Sequence, residues 1–559
     1  MEVIIIGSGL AGLSAAIHCA EKQVKSVIVS AQPSHCSQSV LAAGGINAVL
    51  EGNKEEDSIC QHANDTWNAG CQLADREAVE RLTDNAPKII DYLQKSGVIF
   101  SRDNKNQIEQ RYFGGQQKKR TCYSHSGIGK QMMNGLEQKI RCYCSQGLIR
   151  ILDHVLFLAP IISSEQVQGV VIVDAFTGKL SYLIGPVIAA SGGINQVMGN
   201  TTGSIHSDGS LTAAFYTVGV RMANLEMIQY HPTTIRTKSK NMLVSEAARG
   251  EGGRLFSYRN GQKWYFCEEW YGEKGNLMPR DVVSRAINRV LCEELSDDTE
   301  NVWLDMTHLG EKTINEKLAE VRSLCLDYLK LDPVMDPIPV VPGVHYFMGG
   351  IWVDCDHRTS QKGLYAAGEC CYQYHGANRL GGNSTLGAIY GGMCAADSVC
   401  SDIYNHVVIV DDTIDQVAEC ELNNQKNKLY SYQSLSKDSH YRRCSMQNIM
   451  QHCMGISRNK QNLYYGLRML SEWLLDNTSD CENAITPKEQ DKFVDLECVY
   501  QYQTYLLATL GIGMIQSALK RKESRGAHFR IDYPQMNPEY ETPTIMQYLG
   551  TDTMQFTEN

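Results

Sequence analysis

The chain has 559 residues, 43% of them hydrophobic and 21% charged, ordinary values for a globular protein with room for two or three cored domains. Its formal net charge of −11 argues against a nucleic-acid surface, which needs clustered cations. It has 20 cysteines but no C-x-x-C pair, the tightest spacings being Cys142/Cys144 and Cys370-Cys371, so neither an iron–sulfur cluster nor a zinc ribbon is expected within this chain alone.

From the amino terminus, residues 3–6 form a short β-branched run that predicts a buried parallel strand. Gly7, Gly9 and Gly12 then spell GxGxxG, and Ala15, Ala16 and Ala20 continue as a helix packed close to a sheet. This strand–turn–helix context places a pyrophosphate at the helix N-terminus, where free N–H groups and the dipole favour an anion. A second strand follows at residues 26–30. It ends on Ser30, where a nicotinamide dinucleotide site would carry an acid; a serine still bonds to ribose, but NAD is less favoured. No basic segment precedes an apolar stretch, so no secretory signal is expected, and the cysteines read as free or buried thiols in a reducing cytoplasm. The best apolar runs break early, as at Asp153 and His154 within residues 148–164, so no membrane span is expected.

Strands and helices alternate through the first 225 residues, with a glycine-rich strand end at 187–193 and Asp208-Gly209 before a helical stretch. Between 227 and 342 the composition changes: Trp264, Trp270, Trp303, many charges and a proline-rich run at 336–342 predict an inserted domain. Glycine-rich sheet segments return from 343 to about 400, and helical periodicity dominates from about 415 to 525. The last 35 or so residues are polar and proline-bearing and read as extended over a surface. Within the glycine-rich return stands His375-Gly376-Ala377-Asn378-Arg379-Leu380-Gly381-Gly382-Asn383-Ser384. One arginine among small residues can grip a carboxylate with two parallel hydrogen bonds, and the glycines let backbone approach a flat cofactor.

Together these segments resemble the flavoprotein subunit of succinate dehydrogenase and fumarate reductase, and more distantly L-aspartate oxidase. The similarity runs almost the whole length. It includes Ala42-Ala43-Gly44-Gly45-Ile46-Asn47, Phe113-Gly114-Gly115, Arg120-Thr121-Cys122-Tyr123 and His231-Pro232-Thr233. It continues through Ser245-Glu246-Ala247-Ala248-Arg249-Gly250, Arg280-Asp281-Val282-Val283-Ser284-Arg285, His345-Tyr346-Phe347-Met348-Gly349-Gly350 and the Arg379 loop to Arg521-Lys522-Glu523-Ser524-Arg525. The resemblance implies an α/β Rossmann-like FAD-binding domain in two segments (1–226 and 343–404), an inserted α+β capping domain (227–342), a C-terminal helical domain (405–522) and a C-terminal extension (523–559).

It also implies the chemistry. Fumarate reduction needs two carboxylates held and twisted, a hydride from flavin N5 and a proton for the neighbouring carbon. The resemblance assigns Arg379, His345, His231 and Ser245 to the dicarboxylate, with Phe113 lining the pocket. It makes Arg280 the acid; because arginine has a pKa above 12, the role requires a relay that refills it, formed by Glu246 and Arg249. FAD contacts are assigned to Gly7, Gly9, Gly12, Ser30, Ser37, Gly44, Gly45, Asp208, Glu369 and Ser384.

Three positions depart from the family. Its membrane-bound enzymes usually carry a flavin-linking histidine six residues before the first glycine of the Gly-Gly pair; here that place is Gln38, and His35 is three residues too early. Non-covalent FAD is therefore expected, which favours fumarate reduction over succinate oxidation. Ala43 stands where the family often has glutamine. Ser124-His125-Ser126-Gly127-Ile128-Gly129-Lys130 replaces a usual Ala-Asp-x-Thr-Gly pattern, also on the flavin side.

Arg379-Leu380-Gly381-Gly382-Asn383-Ser384 and Met348-Gly349-Gly350 favour the fumarate reductase branch over L-aspartate oxidase, which usually reads Arg-Met-Ala-Ser-Asn-Ser and Cys-Gly-Gly. Two further alternatives are a reductase of a related unsaturated acid and a non-catalytic flavin electron-transfer subunit. An iron–sulfur subunit is the expected electron donor, with the Arg525–Arg530 region helping to shape its docking surface. A cytoplasmic location is expected, at the inner face of the membrane only where partner subunits supply an anchor; a stand-alone soluble enzyme reoxidised by oxygen, fumarate or a small donor is the alternative.

Overall fold

The computed structural model describes residues 1–51, 56–124, 127–238, 240–293, 295–432, 438–478 and 493–550. His125 and Ser126, within one of the departures noted above, lie outside the described residues. The strand Val3–Ile6 is the centre of a five-stranded parallel sheet, in the order Leu364–Ala366, Val187–Ala189, Val3–Ile6, Ser26–Ser30, Ile149–Asp153. All four of its residues are buried, as a strand covered on both faces requires. Helix Leu10–Glu21 leaves the sheet directly after the glycine turn. A Cβ on Gly12 would lie 1.9 Å from the Gly7 carbonyl oxygen, so helix and strand meet at backbone contact. Helix Asn383–Tyr404 packs along Leu10–Glu21, where a Cβ on Gly392 would lie 2.3 Å from the Ala11 carbonyl oxygen. Both helices therefore present their N-termini at the carboxyl edge of the sheet, the place where dinucleotides bind in such folds.

Residues 228–347 build a six-stranded antiparallel sheet, in the order Asn241–Leu243, Ile228–Arg236, Ile338–Phe347, Val302–Asp305, Arg254–Arg259, Gln262–Trp264. Helix Arg280–Cys292 lies against the strand Ile228–Arg236. The register of Ile228–Arg236 against Ile338–Phe347 shifts between Gln229 and Tyr230 and again between His231 and Thr234. Pro232 has no N–H for the ladder, so a bulge at His231–Thr234 is its natural consequence.

Four helices follow: Ile414–Ser431, Ser439–Cys453, Lys460–Thr478 and Leu496–Lys520. Leu496–Lys520 is covered on nearly all sides, with 18 of its 25 residues buried, yet among the described residues no helix is long and apolar enough to cross a membrane. Among the described residues there is also no group of three or more His, Cys, Asp or Glu side chains that could hold a metal ion.

Residues 531–543 are mostly exposed and irregular, as the polarity of the final segment suggested, but the charged stretch that leads into them is buried. Arg521, Glu523, Arg525, His528 and Arg530 are all 2% exposed or less. Glu523 accepts from Arg521 Nη1 at 2.8 Å and from Arg525 Nε at 2.8 Å, and Arg521 Nε donates to Glu226 at 2.6 Å. The charges satisfy one another inside the protein, so charge density here signals a buried network rather than a wet face. The strand Ile545–Met546 then pairs with Met222–Ala223. These arginines are accordingly not surface groups available to a docking partner.

Candidate active site

A cavity of about 1010 Å³ runs from the glycine turn to the inserted sheet. Sixteen of the eighteen residues assigned from sequence line it: Gly7, Gly9, Ser30, Ser37, Gly44, Gly45, Phe113, Asp208, His231, Ser245, Glu246, Arg280, His345, Glu369, Arg379 and Ser384. Gly12 and Arg249 do not. Gly12 serves the helix–strand contact described above, and Arg249 stands behind Glu246.

At the sheet end, Ser30 Oγ lies 2.7 Å from Ser8 Oγ and donates to the Gln32 carbonyl at 2.6 Å. Ser39 Oγ accepts from the Leu10 N–H at 3.1 Å, a contact from outside the helix to its first turn that sequence reading missed. Ser37 Oγ is buried without a partner. Asp208 accepts from the Ser210 N–H at 2.9 Å, which seats the start of helix Ser210–Thr217. Glu369 accepts from the Phe347 N–H at 3.1 Å, and burial pushes its carboxyl up from 4.5 to about 7.

That shift has a measurable sign. Because the folded chain holds the Glu369 proton more tightly than the unfolded chain, stability of the FAD-free protein falls as pH climbs from 4.5 to about 7 and levels off above. The span is worth about 3 kcal/mol. Thermal unfolding of Glu369→Gln against the parent across this pH range should show the slope reduced in the variant.

At the other end, cations gather. Arg379 is 4% exposed, and its Cζ lies 4.3 Å from the Tyr346 ring centroid. Its guanidinium donates no hydrogen bond to any described residue, and its buried Nε is without a partner. Burial and then the Arg280 charge push it down to about 9. His231 and His345 meet edge to face with ring centroids 5.2 Å apart. The Thr233 backbone holds His231 Nδ1, leaving Nε2 buried and unpaired; Thr202 Oγ1 lies 2.7 Å from His345 Nδ1. Burial and then the neighbouring Arg280 push both histidines well below the usual imidazole value, so both are neutral near pH 7.

Arg280 opens helix Arg280–Cys292 after Pro279. Its Nε and Nη2 donate to Glu246 Oε2 at 2.9 and 2.6 Å, and its Nη1 to Gln229 Oε1 at 3.0 Å. Glu246 Oε1 accepts from Arg249 Nη2 at 3.1 Å. Burial pushes the Glu246 carboxyl up, but Arg280 and Arg249 outweigh it and hold it below the usual range. Arg249 in turn lines a second cavity of about 320 Å³ with Arg254, Glu268 and Glu273. Gln229, absent from the sequence assignment, joins the two arginines: its Nε2 donates to the Arg379 carbonyl at 2.9 Å and to Asn378 Oδ1 at 2.8 Å. No motif or spacing in the sequence marks it, since its partners come from other elements.

A glycine turn opening a helix at the carboxyl edge of a parallel sheet, beside a cavity large enough for a dinucleotide and lined by unpaired donors, fits FAD. The fold and this site define a flavin-dependent oxidoreductase. Residues 2–385 match the model of the FAD binding domain, and residues 443–557 that of the fumarate reductase flavoprotein C-terminal domain. The chain therefore belongs to the succinate dehydrogenase/fumarate reductase flavoprotein family. It is 33% identical to a succinate dehydrogenase flavoprotein subunit of Bacillus subtilis, over 98% of this chain and 93% of the relative. It is 31% identical to a fumarate reductase flavoprotein subunit of Haemophilus influenzae, over 95% of this chain and 89% of the relative. Among solved structures, an E. coli quinol fumarate reductase FrdA variant aligns with a TM-score of 0.90 and 27% identity, over 100% of this chain and 96% of that one.

Proposed function

We propose that this protein reduces fumarate to succinate, with electrons delivered by a separate iron–sulfur protein. The observation that carries the reading is the buried chain Arg280–Glu246–Arg249, which links the cavity holding Arg379 to a second cavity on its far side. A flavin site that only passed electrons would have no use for it. Arg379, with its empty hydrogen-bonding fork, grips one carboxylate; neutral His231 and His345 and the Ser245 hydroxyl donate to the other groups of the dicarboxylate. The ring of Phe113 closes the pocket between Gly44 and Gly381, where a Cβ on either would lie 2.8 Å from it. Gly7, Gly9, Ser37, Gly44, Gly45, Asp208, Glu369 and Ser384 would hold FAD, which supplies the hydride when bound. Arg280 gives its proton to substrate carbon, and Glu246 and Arg249 restore it from the second cavity. The immediate return of the proton is what lets so weak an acid serve.

The flavin is held without a covalent bond. Gln38 lines the cavity, and its Nε2 lies 3.5 Å from the Thr202 carbonyl. An amide offers no nucleophile to a flavin. Acid precipitation of the purified protein should leave the yellow colour in the supernatant; colour in the pellet contradicts this.

The reading is tested by titrating fumarate and L-aspartate into the oxidised flavin-loaded protein. Fumarate should perturb the visible flavin spectrum saturably. Flavin bleaching by L-aspartate, with hydrogen peroxide released on admission of oxygen, would instead make the chain an L-aspartate oxidase.

A further inference from the structure

Arg111 comes from the two-residue strand Gln110–Arg111, paired antiparallel with Thr121–Cys122. Its Nη2 donates to two consecutive carbonyls, Ala43 at 3.1 Å and Gly44 at 2.5 Å. Its Cζ lies 4.3 Å from the Tyr123 ring centroid and 5.5 Å from that of Phe113. The guanidinium itself does not line the large cavity, whereas Ala43, Gly44, Gly45 and Phe113 do. It is a cation set behind the cavity wall.

The described chain has no cis peptide bond. In a planar trans peptide the C=O and the following N–H point in opposite directions. Pulling the Ala43 and Gly44 carbonyls toward Arg111 therefore turns the N–H groups of Gly44 and Gly45 away from it, to the cavity side. Neither N–H donates to any described residue. Gly45 adopts φ +138, a backbone that side chains rarely adopt, and a Cβ there would lie 2.4 Å from Thr121 Cγ2. The loop is thus built to present two adjacent, unspent amide donors, and residue 43 contributes only a methyl group to the wall.

We propose, on the reading that FAD occupies this cavity, that Arg111 is a positioning residue for it: by fixing two peptide dipoles it aims the Gly44 and Gly45 amides at an acceptor edge of the isoalloxazine and so raises the flavin potential. Reduction enriches that edge in electron density, and donors already oriented stabilise the richer form more than the poorer one. The cation behind the peptides reinforces their polarity without itself meeting the ring. This gives the Ala43 position a physical account: backbone amides backed by a buried guanidinium do the work that a polar side chain at 43 would otherwise share.

The test is a mediated redox titration of flavin-loaded Arg111→Met, Arg111→Gln and Arg111→Lys beside the parent. Loss of the cation should cost about tenfold in preference for reduced over oxidised flavin, a negative shift of about 30 mV for a two-electron couple. Arg111→Lys should recover at least half of it. If Arg111→Met does not fold, the neutral Arg111→Gln carries the same expectation. A neutral variant that binds flavin with the parent's thermal midpoint and an unshifted potential overturns the proposal. A parent protein that neither purifies with flavin nor takes it up overturns instead the cofactor assignment on which it rests.

Discussion

Arg280→Gln is expected to lower kcat for fumarate reduction by roughly 10²–10⁴-fold while leaving FAD bound, the range that a positioned general acid contributes. Two of the three Arg280 donors that bond within the protein go to Glu246 Oε2, at 2.9 and 2.6 Å, and the third to Gln229 at 3.0 Å. Glutamine is shorter and carries no proton to give. Glu246 would keep Arg249 at 3.1 Å, so the carboxylate is not stranded and the pocket should stay folded. Arg280→Lys should also fail. It keeps the charge, but a point-like ammonium cannot reproduce a fork that grips Glu246 and Gln229 together. Measurement of kcat with reduced viologen, with flavin content read at the same time, separates lost chemistry from lost cofactor. Turnover within tenfold of the parent would remove Arg280 from the role of acid.

The largest stability effect is expected at Glu523→Ala, about 3–5 kcal/mol, the range for removing one partner of a buried ionic network. Glu523 is 0% exposed and accepts from Arg521 and twice from Arg525, at 2.8, 2.8 and 3.1 Å, and from the Asn537 N–H at 2.8 Å. Truncation leaves two buried guanidinium groups short of their counter-charge. The damage reaches the active site, because the Ala527 N–H donates to the Ala377 carbonyl at 2.9 Å, two residues before Arg379. Arg285 Nη1 also donates to the Gly526 carbonyl at 2.7 Å, one turn beyond Arg280. Denaturation midpoints of the holoprotein read the stability loss. A rise in KM for fumarate should accompany it, and a midpoint unchanged from the parent would show the network to be dispensable.

The elements legible in the sequence were those whose signal is local. Val3–Ile6 and its glycine turn declare themselves because a doubly covered strand must be apolar and a close helix contact must be glycine. The inserted sheet was visible as a change in composition, although composition carried no strand order. The residues assigned to the dicarboxylate and to the relay came from resemblance, and the structure gathers them on cavities that no spacing rule could have drawn. What stayed hidden was long-range pairing. The start of the last 35 or so residues looked like surface because nothing local tells that Arg525 meets the Cys71 carbonyl, 454 positions away in the chain. Gln229 was invisible for the same reason: its partners Arg280 and Asn378 lie on other elements. Arg111 sits beside the recognised Phe113-Gly114-Gly115 motif, yet its function depends on the carbonyls of a loop 67 and 68 residues earlier.

The central claim is that this cavity adds hydrogen across the fumarate double bond. The direct measurement is anaerobic incubation of the purified, flavin-loaded protein with fumarate and excess reduced methyl viologen, followed by proton NMR. The vinyl signal of fumarate should disappear as the methylene signal of succinate grows in equal amount. Fumarate left intact beside a flavin that viologen reduces would contradict the account.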